Sequence, residues 1–219
     1  MLMHKKSSLV GGRRGDKTNY TLTINKISLR FSISKRRLLY LAFGVVAFLI
    51  AYSVGASLQL TDEESRDLSD QFAERIAGID EFGIFLNNLW IALAMFIPAL
   101  GAGFGVFAGF STGAVFTAIS ESQGLGDISP LLIFITPFGV MELFVYGLAM
   151  SRSGILIVRL VREKPWRAGY GRLFYEKTLV PTFIELGIVV VVLFAAALIE
   201  WWFIEQFGGL DSNLLIEPV

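Results

Sequence analysis

Cysteine is absent from this 219-residue chain, and histidine occurs once, as His4. Without thiols there is no disulfide, no thiolate metal site and no thiol nucleophile. His4 lies in a polar, basic tail and reads as solvated rather than as a ligand. The chain has no HExxH, no Gly-x-Ser-x-Gly and no P-loop. Gly101-Ala102-Gly103-Phe104-Gly105-Val106 lacks the last glycine of a dinucleotide fingerprint and falls within an apolar run. Acids adjoin only in Asp62-Glu63-Glu64 and Asp80-Glu81, where helical neighbours point to different faces instead of across a substrate. The expectation is therefore no catalytic site, no cofactor, no metal and no nucleic-acid partner.

Charge is scarce at 17% of residues, against 54% hydrophobic, and its distribution matters more than its amount. The apolar residues gather into long runs while the charges cluster between them, which is the pattern of a polytopic membrane protein. A net charge of zero hides an asymmetry: residues 1–37 hold ten Lys/Arg and one acid, and residues 60–83 hold eight acids and two Arg. No cleavable signal peptide is expected in so basic an N-terminal stretch, so the first span is expected to direct insertion.

Within the tail, apolar and polar residues alternate through Tyr20, Leu22 and Ile24 and again through Ile27, Leu29, Phe31 and Ile33, a period of two that suggests a strand-like piece resting on a membrane surface or a partner. Lys35-Arg36-Arg37 abut a first span, Leu38 to Leu58, whose 21 residues rise ~31 Å and match a bilayer core. Residues 61–81 begin with a capping-type Thr61-Asp62-Glu63-Glu64 and place Leu68, Phe72, Ile76 and Ile79 at helical spacing, predicting an acidic amphipathic outer helix. From Phe82 to Ser120 the apolar run would reach ~58 Å as one helix, so it must turn, at Pro98 and Gly101-Ala102-Gly103. That hairpin puts the basic linker 159–177 on the side of the basic N-terminus, as the positive-inside tendency requires. Ser129-Pro130 opens a short half-helix to Thr136, broken from the next span at Pro137, and the last span runs from about Thr178 to Phe203 beside the interfacial pair Trp201-Trp202.

The chain is organised around Pro137-Phe138-Gly139-Val140-Met141-Glu142-Leu143, which buries a carboxylate in an apolar run. An ionisable group at membrane depth costs at least ~2.5 kcal/mol and turns inward to a partner. Asn87 and Asn88, at a similar outer depth, are the expected partners in a structural polar clamp with Glu142; a proton relay or substrate-binding carboxylate is the alternative. Pro137 breaks the helix and Gly139 admits another backbone. Glu185, about two turns into the last span, is expected to be neutralised by Arg152 or Arg159. Glu200 reads as an interfacial charge left wet. Gly101, Gly105, Gly109 and Gly113 recur every four residues and form a packing stripe, expected to face the helix of Glu142, with a homo-oligomer through the stripe as the other possibility.

Phe85-Leu86-Asn87-Asn88 at the head of one span, the Gly-rich hairpin with Gly109 and Gly113, Pro137 to Leu143, and Ala197-Leu198-Ile199-Glu200 in the last span together resemble the stage II sporulation protein M family over residues 38–207. In that family the central motif usually reads Pro-His-Gly-x-x-Glu-Leu; here the histidine position is Phe138, which weakens a proton-relay or metal reading. The resemblance implies a membrane protein whose founding member is a scaffold for cell-wall-degrading enzymes during engulfment, while most relatives occur outside sporulation.

The expected fold is an all-α polytopic membrane bundle of about five transmembrane helices, with a broken helix at Pro137 and an amphipathic outer helix. A basic cytoplasmic tail (1–37) precedes the membrane domain (38–207), and a short outer tail (208–219) follows it. The expected role is a non-catalytic scaffold or assembly subunit of the cell membrane, N-terminus cytoplasmic and C-terminus outside, partnered by lipid and other membrane proteins. The alternative is a transporter or permease component using Glu142 and Glu185, at a site of the kind that broken helices create.

Overall fold

The structure, a computed structural model, describes residues 19–24, 27–32, 35–124, 129–164 and 174–207. The tail before residue 19, the middle of the basic linker (165–173, with Trp166 and Tyr170) and the C-terminal tail 208–219 lie outside the described residues. Two compact units divide the chain, residues 1–39 and 40–219.

The first unit contains an antiparallel hairpin, β1 (Asn19–Ile24) and β2 (Ile27–Ser32), where the sequence alternates with period two. Tyr20 pairs with Phe31, Leu22 with Leu29 and Ile24 with Ile27, so apolar positions oppose apolar positions along the ladder.

The second unit is helical. α1 (Lys35–Ala56) begins within the basic Lys35-Arg36-Arg37. α2 (Asp62–Ile76) starts at Thr61 through a capping box: the Thr61 hydroxyl accepts from the Glu64 backbone N–H, and the Glu64 carboxylate accepts from the Thr61 backbone N–H at 2.8 Å. Asp80 caps α3 (Glu81–Met95) by accepting from the Gly83 N–H at 2.8 Å. Phe96 to Leu100 make the turn at Pro98, with Ala99 in the left-handed region at φ 69°, and α4 (Gly101–Ser122) returns. A 3-10 helix (Pro130–Ile135) leads into α5 (Pro137–Glu163). A π-helical turn (Tyr175–Leu179) leads into α6 (Val180–Phe207), which outlasts the expected end at Phe203 by four residues.

Among the described residues four stretches, α1, α4, α5 and α6 with its π turn, are each long and apolar enough to cross a membrane; α2 and α3, bent by 114° where they meet, make a fifth when the bent pair is counted as one span. α3 alone has 15 residues, a rise of ~22 Å, shorter than a ~30 Å hydrocarbon core. Direction alternates through the bundle. Phe48 meets Gly109 and Tyr52 meets Gly113, so α1 and α4 run parallel; Gly44 meets Gly147 while Tyr52, two turns on, meets Phe134 just before α5, so α5 opposes them. Asn88 reaches Glu142 and Ile97 reaches Ser153, so α3 runs with α5. Phe138 meets Phe203 and Arg152 meets Glu185, so α6 opposes both. The chain is an all-α polytopic membrane bundle.

α5 is the central helix, with 56% of its most apolar window buried against 28–33% for the other three spans. Its Val145, Ala149 and Met150 join Phe48 of α1, Ala92 and Met95 of α3 and Val189 and Leu193 of α6 in one core. α2 lays Ser65, Leu68 and Phe72 inward, and Ser65 donates to Glu121 at the end of α4 at 2.6 Å.

Candidate functional site: two polar knots

The break before α5 is built from local chemistry. Pro137 offers no N–H and disfavours helix at Thr136, whose extended backbone ends the 3-10 helix. The Thr136 hydroxyl then works in both directions, donating to the Ile133 carbonyl at 2.6 Å and accepting from the Gly139 N–H at 3.1 Å. A side chain at Gly139 would collide with the Ile133 carbonyl, so the tight start requires glycine here.

One turn further on, the first knot joins α3, α5 and α6. The Asn88 side-chain amide donates to Glu142 Oε1 at 2.6 Å, while Asn87 is exposed and its amide reaches only Asn88 Oδ1, at 3.4 Å. Of the two expected asparagines, Asn88 therefore meets Glu142 and Asn87 does not. Phe138 meets Phe203 across the antiparallel α5 and α6, so Glu200, a turn before Phe203, lies at about the level of Glu142, with Tyr146 a turn below. Glu200 is half-buried, and its Oε2 is enclosed with no hydrogen-bond partner among the described residues, so the carboxylate expected to stay wet has one oxygen shielded by the protein.

The second knot lies ten residues along α5, ~15 Å away. Arg152 grips Glu185 with two hydrogen bonds, Nε to Oε2 at 2.7 Å and a second from Nη2 to Oε1, both side chains being almost fully buried. Beside it, the Ser153 hydroxyl donates to the Ile97 carbonyl at 2.6 Å, which anchors the turn at Pro98. Arg159 takes a different task from the one considered for it: it donates to the Lys177 carbonyl and to the Thr178 hydroxyl, holding the π-helical turn. Glu142 and Glu185 thus stand in separate knots and do not form one site.

The scan against family models matches stage II sporulation protein M over residues 38–203. The chain belongs to the stage II sporulation protein M family. No match was found among curated proteins or among solved structures. In this member of the family, Phe138 occupies the position where the resemblance leads one to expect histidine, and it is buried edge-on against Phe203 with ring centroids 5.8 Å apart.

The glycine stripe is filled from inside the chain, and its main partner is not the expected one. Gly109 and Gly113 face Phe48, Ala51 and Tyr52 of α1, Gly105 faces the Met150 side chain of α5, and Gly101 lies against the Met95 carbonyl in its own turn. All four are buried within the chain. Three further glycines make equally close approaches: Gly44 and Gly147 pack against each other's helices, and Gly55 against the Phe110 carbonyl. A tighter signal was present in α1, where Gly44, Phe48, Ala51, Tyr52 and Gly55 follow helical spacing and all are buried.

Proposed function

We propose that this membrane protein is a non-catalytic scaffold or assembly subunit that organises partner proteins at the cell membrane, with the N-terminus cytoplasmic and the C-terminus outside. The observation that carries the reading is how the two acids on α5 and α6 are used. Glu142 is tied to Asn88 and Glu185 to Arg152, in knots ~15 Å apart that fasten helices to one another. The orientation rests on charge: ten Lys/Arg precede the first span and the acidic α2 lies at its other end. The partners are other membrane or membrane-associated proteins; wall hydrolases, an ATPase and a membrane enzyme complex are the distinguishable outcomes of purification in mild detergent.

A second reading, a transporter or permease component, is favoured by one observation, the enclosed Glu200 Oε2, which has no hydrogen-bond partner among the described residues and lies at about the level of Glu142. Its site would be Glu142 with Glu200, not Glu142 with Glu185. Glu142→Gln separates the two readings, because it keeps the shape and most of the hydrogen bonding while removing the charge. A scaffold keeps its partners and its cellular function in that variant. A Gln variant that assembles normally yet has no function overturns the first reading in favour of the second.

A further inference from the structure

Asn87 stands outside the first knot, and a bilayer makes that position costly. It is the seventh of fifteen residues in α3, ~9 Å along the helix from the charged Glu81, on an exposed side shared with Phe82, Leu86 and Trp90. The only hydrogen bond of its side chain among the described residues is the 3.4 Å contact with Asn88. Ser53 and Thr112, also within spans, turn their hydroxyls back to the carbonyls of Leu49 and Ala108; Asn87 makes no such bond. Trp90, one turn on, is 72% exposed. It lies ~14 Å from Glu81, near the midplane of a ~30 Å core instead of at the headgroups where indoles settle, and its N–H has no acceptor among the described residues. We propose that this side of α3 is the contact face of a two-fold homodimer, in which the Asn87 amides of two copies close against each other.

Three observations single out a second copy as the occupant. A carboxamide carries both donors and an acceptor, so an axis along the membrane normal lets two identical amides satisfy each other with two hydrogen bonds. Gly83, Asn87, Trp90 and Ala94 follow the 4-3-4 spacing of a helix seam, and a side chain at Gly83 would meet only Ile79 and Asp80 of its own turn, which leaves room for a second backbone. The ~22 Å rise of α3 falls short of the hydrocarbon core, a mismatch that pairing relieves by covering its exposed flank with protein. The dimer stands whether the bundle is a scaffold or a transporter.

Because the chain has no cysteine, single cysteines report the contact directly. Full-length protein carrying Gly83→Cys, Ala94→Cys, Phe107→Cys or Val191→Cys is oxidised in native membranes, the last two being exposed positions on α4 and α6. Covalent dimers are expected at Gly83→Cys and Ala94→Cys and not at the other two. Adding Asn87→Leu to the Gly83→Cys protein should cut the dimer about fivefold, the effect of losing two interhelical hydrogen bonds of the size found in membranes, while Asn87→Gln should keep most of it. Equal cross-linking at all four positions overturns the proposal, as does an undiminished dimer in Asn87→Leu. Capture of a different protein at Gly83→Cys, with no second copy, overturns it in favour of a foreign helix. The four single-cysteine proteins keep Asn87, so their outcome decides even where Asn87→Leu fails to fold.

Discussion

Arg152 and Glu185 meet inside the bundle with Nε 2.7 Å from Oε2, although 33 residues of chain separate them. The contact ties α5 to α6 with both charges out of water. Removing one partner strands the other, at a cost of ~3–5 kcal/mol, whereas replacing both by apolar residues of similar volume is often close to neutral. Arg152→Ala and Glu185→Ala are each expected to abolish most folded yield in detergent. The double variant Arg152→Met/Glu185→Met should recover much of it, and size-exclusion profiles of the three would show whether it does.

At the outer knot the loss is of a hydrogen bond to a carboxylate. Asn88→Leu leaves Glu142 without its amide donor, which should cost ~1–3 kcal/mol and lower the temperature of unfolding. Asn87→Leu, whose amide makes only a 3.4 Å contact to Asn88, should be mild. Equal effects in a thermal-shift comparison would show that the two asparagines share the task.

The glycine contacts predict a sharp contrast along one helix. Gly113→Leu must displace the Tyr52 carbonyl and Gly109→Leu the Phe48 backbone, so both should sharply reduce folded protein. Gly103 has nothing within 4 Å of where a side chain would begin, so Gly103→Leu should be tolerated, as should Phe107→Leu at an exposed position. Fluorescent-fusion yields in membranes would measure all four.

Acid should loosen the start of α2. Backbone and side-chain hydrogen bonds from Thr61 hold the Glu64 carboxyl below its ordinary range. Because the folded value is the lower one, the stabilisation is complete above the unfolded value and fades as pH falls through the folded one. Amide protection factors across Asp62–Ile76, taken against the intrinsic exchange rate at each pH, should therefore fall as pH drops below the ordinary carboxylate value, and Glu64→Gln should flatten that response.

Topology is checked by single cysteines. Labels at Ser69 and Ser212 are expected to react from outside the cell, and one at Ala168 only after permeabilisation. External labelling at Ala168 would contradict the orientation proposed for the bundle.

Much of this architecture is readable from elementary constraints. A 39-residue apolar run cannot stay straight in a bilayer, and the turn falls at Pro98 as length and proline require. A carboxylate buried at Glu142 calls for a donor, and few donors exist at that depth; Glu185 calls for a cation, and Arg152 lies in the facing helix. Glu200 was harder, because a position beside Trp201-Trp202 reads as interfacial, whereas the enclosure of its Oε2 depends on how the helices pack around it. The partner of the glycine stripe was harder still. Spacing shows that a face is smooth but not which neighbour uses it, and the complementary glycines of α1, Gly44 and Gly55, stand eleven residues apart, without the four-residue repeat that draws the eye in α4.

Backbone-close packing of α1 has a consequence for how the protein is made. The surfaces that Gly44, Phe48, Tyr52 and Gly55 require belong to residues 109–147, so α1 is synthesised well before the backbone it packs against. During synthesis it must wait in lipid with its contact face bare while more than fifty residues are translated. A chaperone or insertase that shelters that face, or a pause that shortens the wait, would act on the yield of this protein before any of its partners is met.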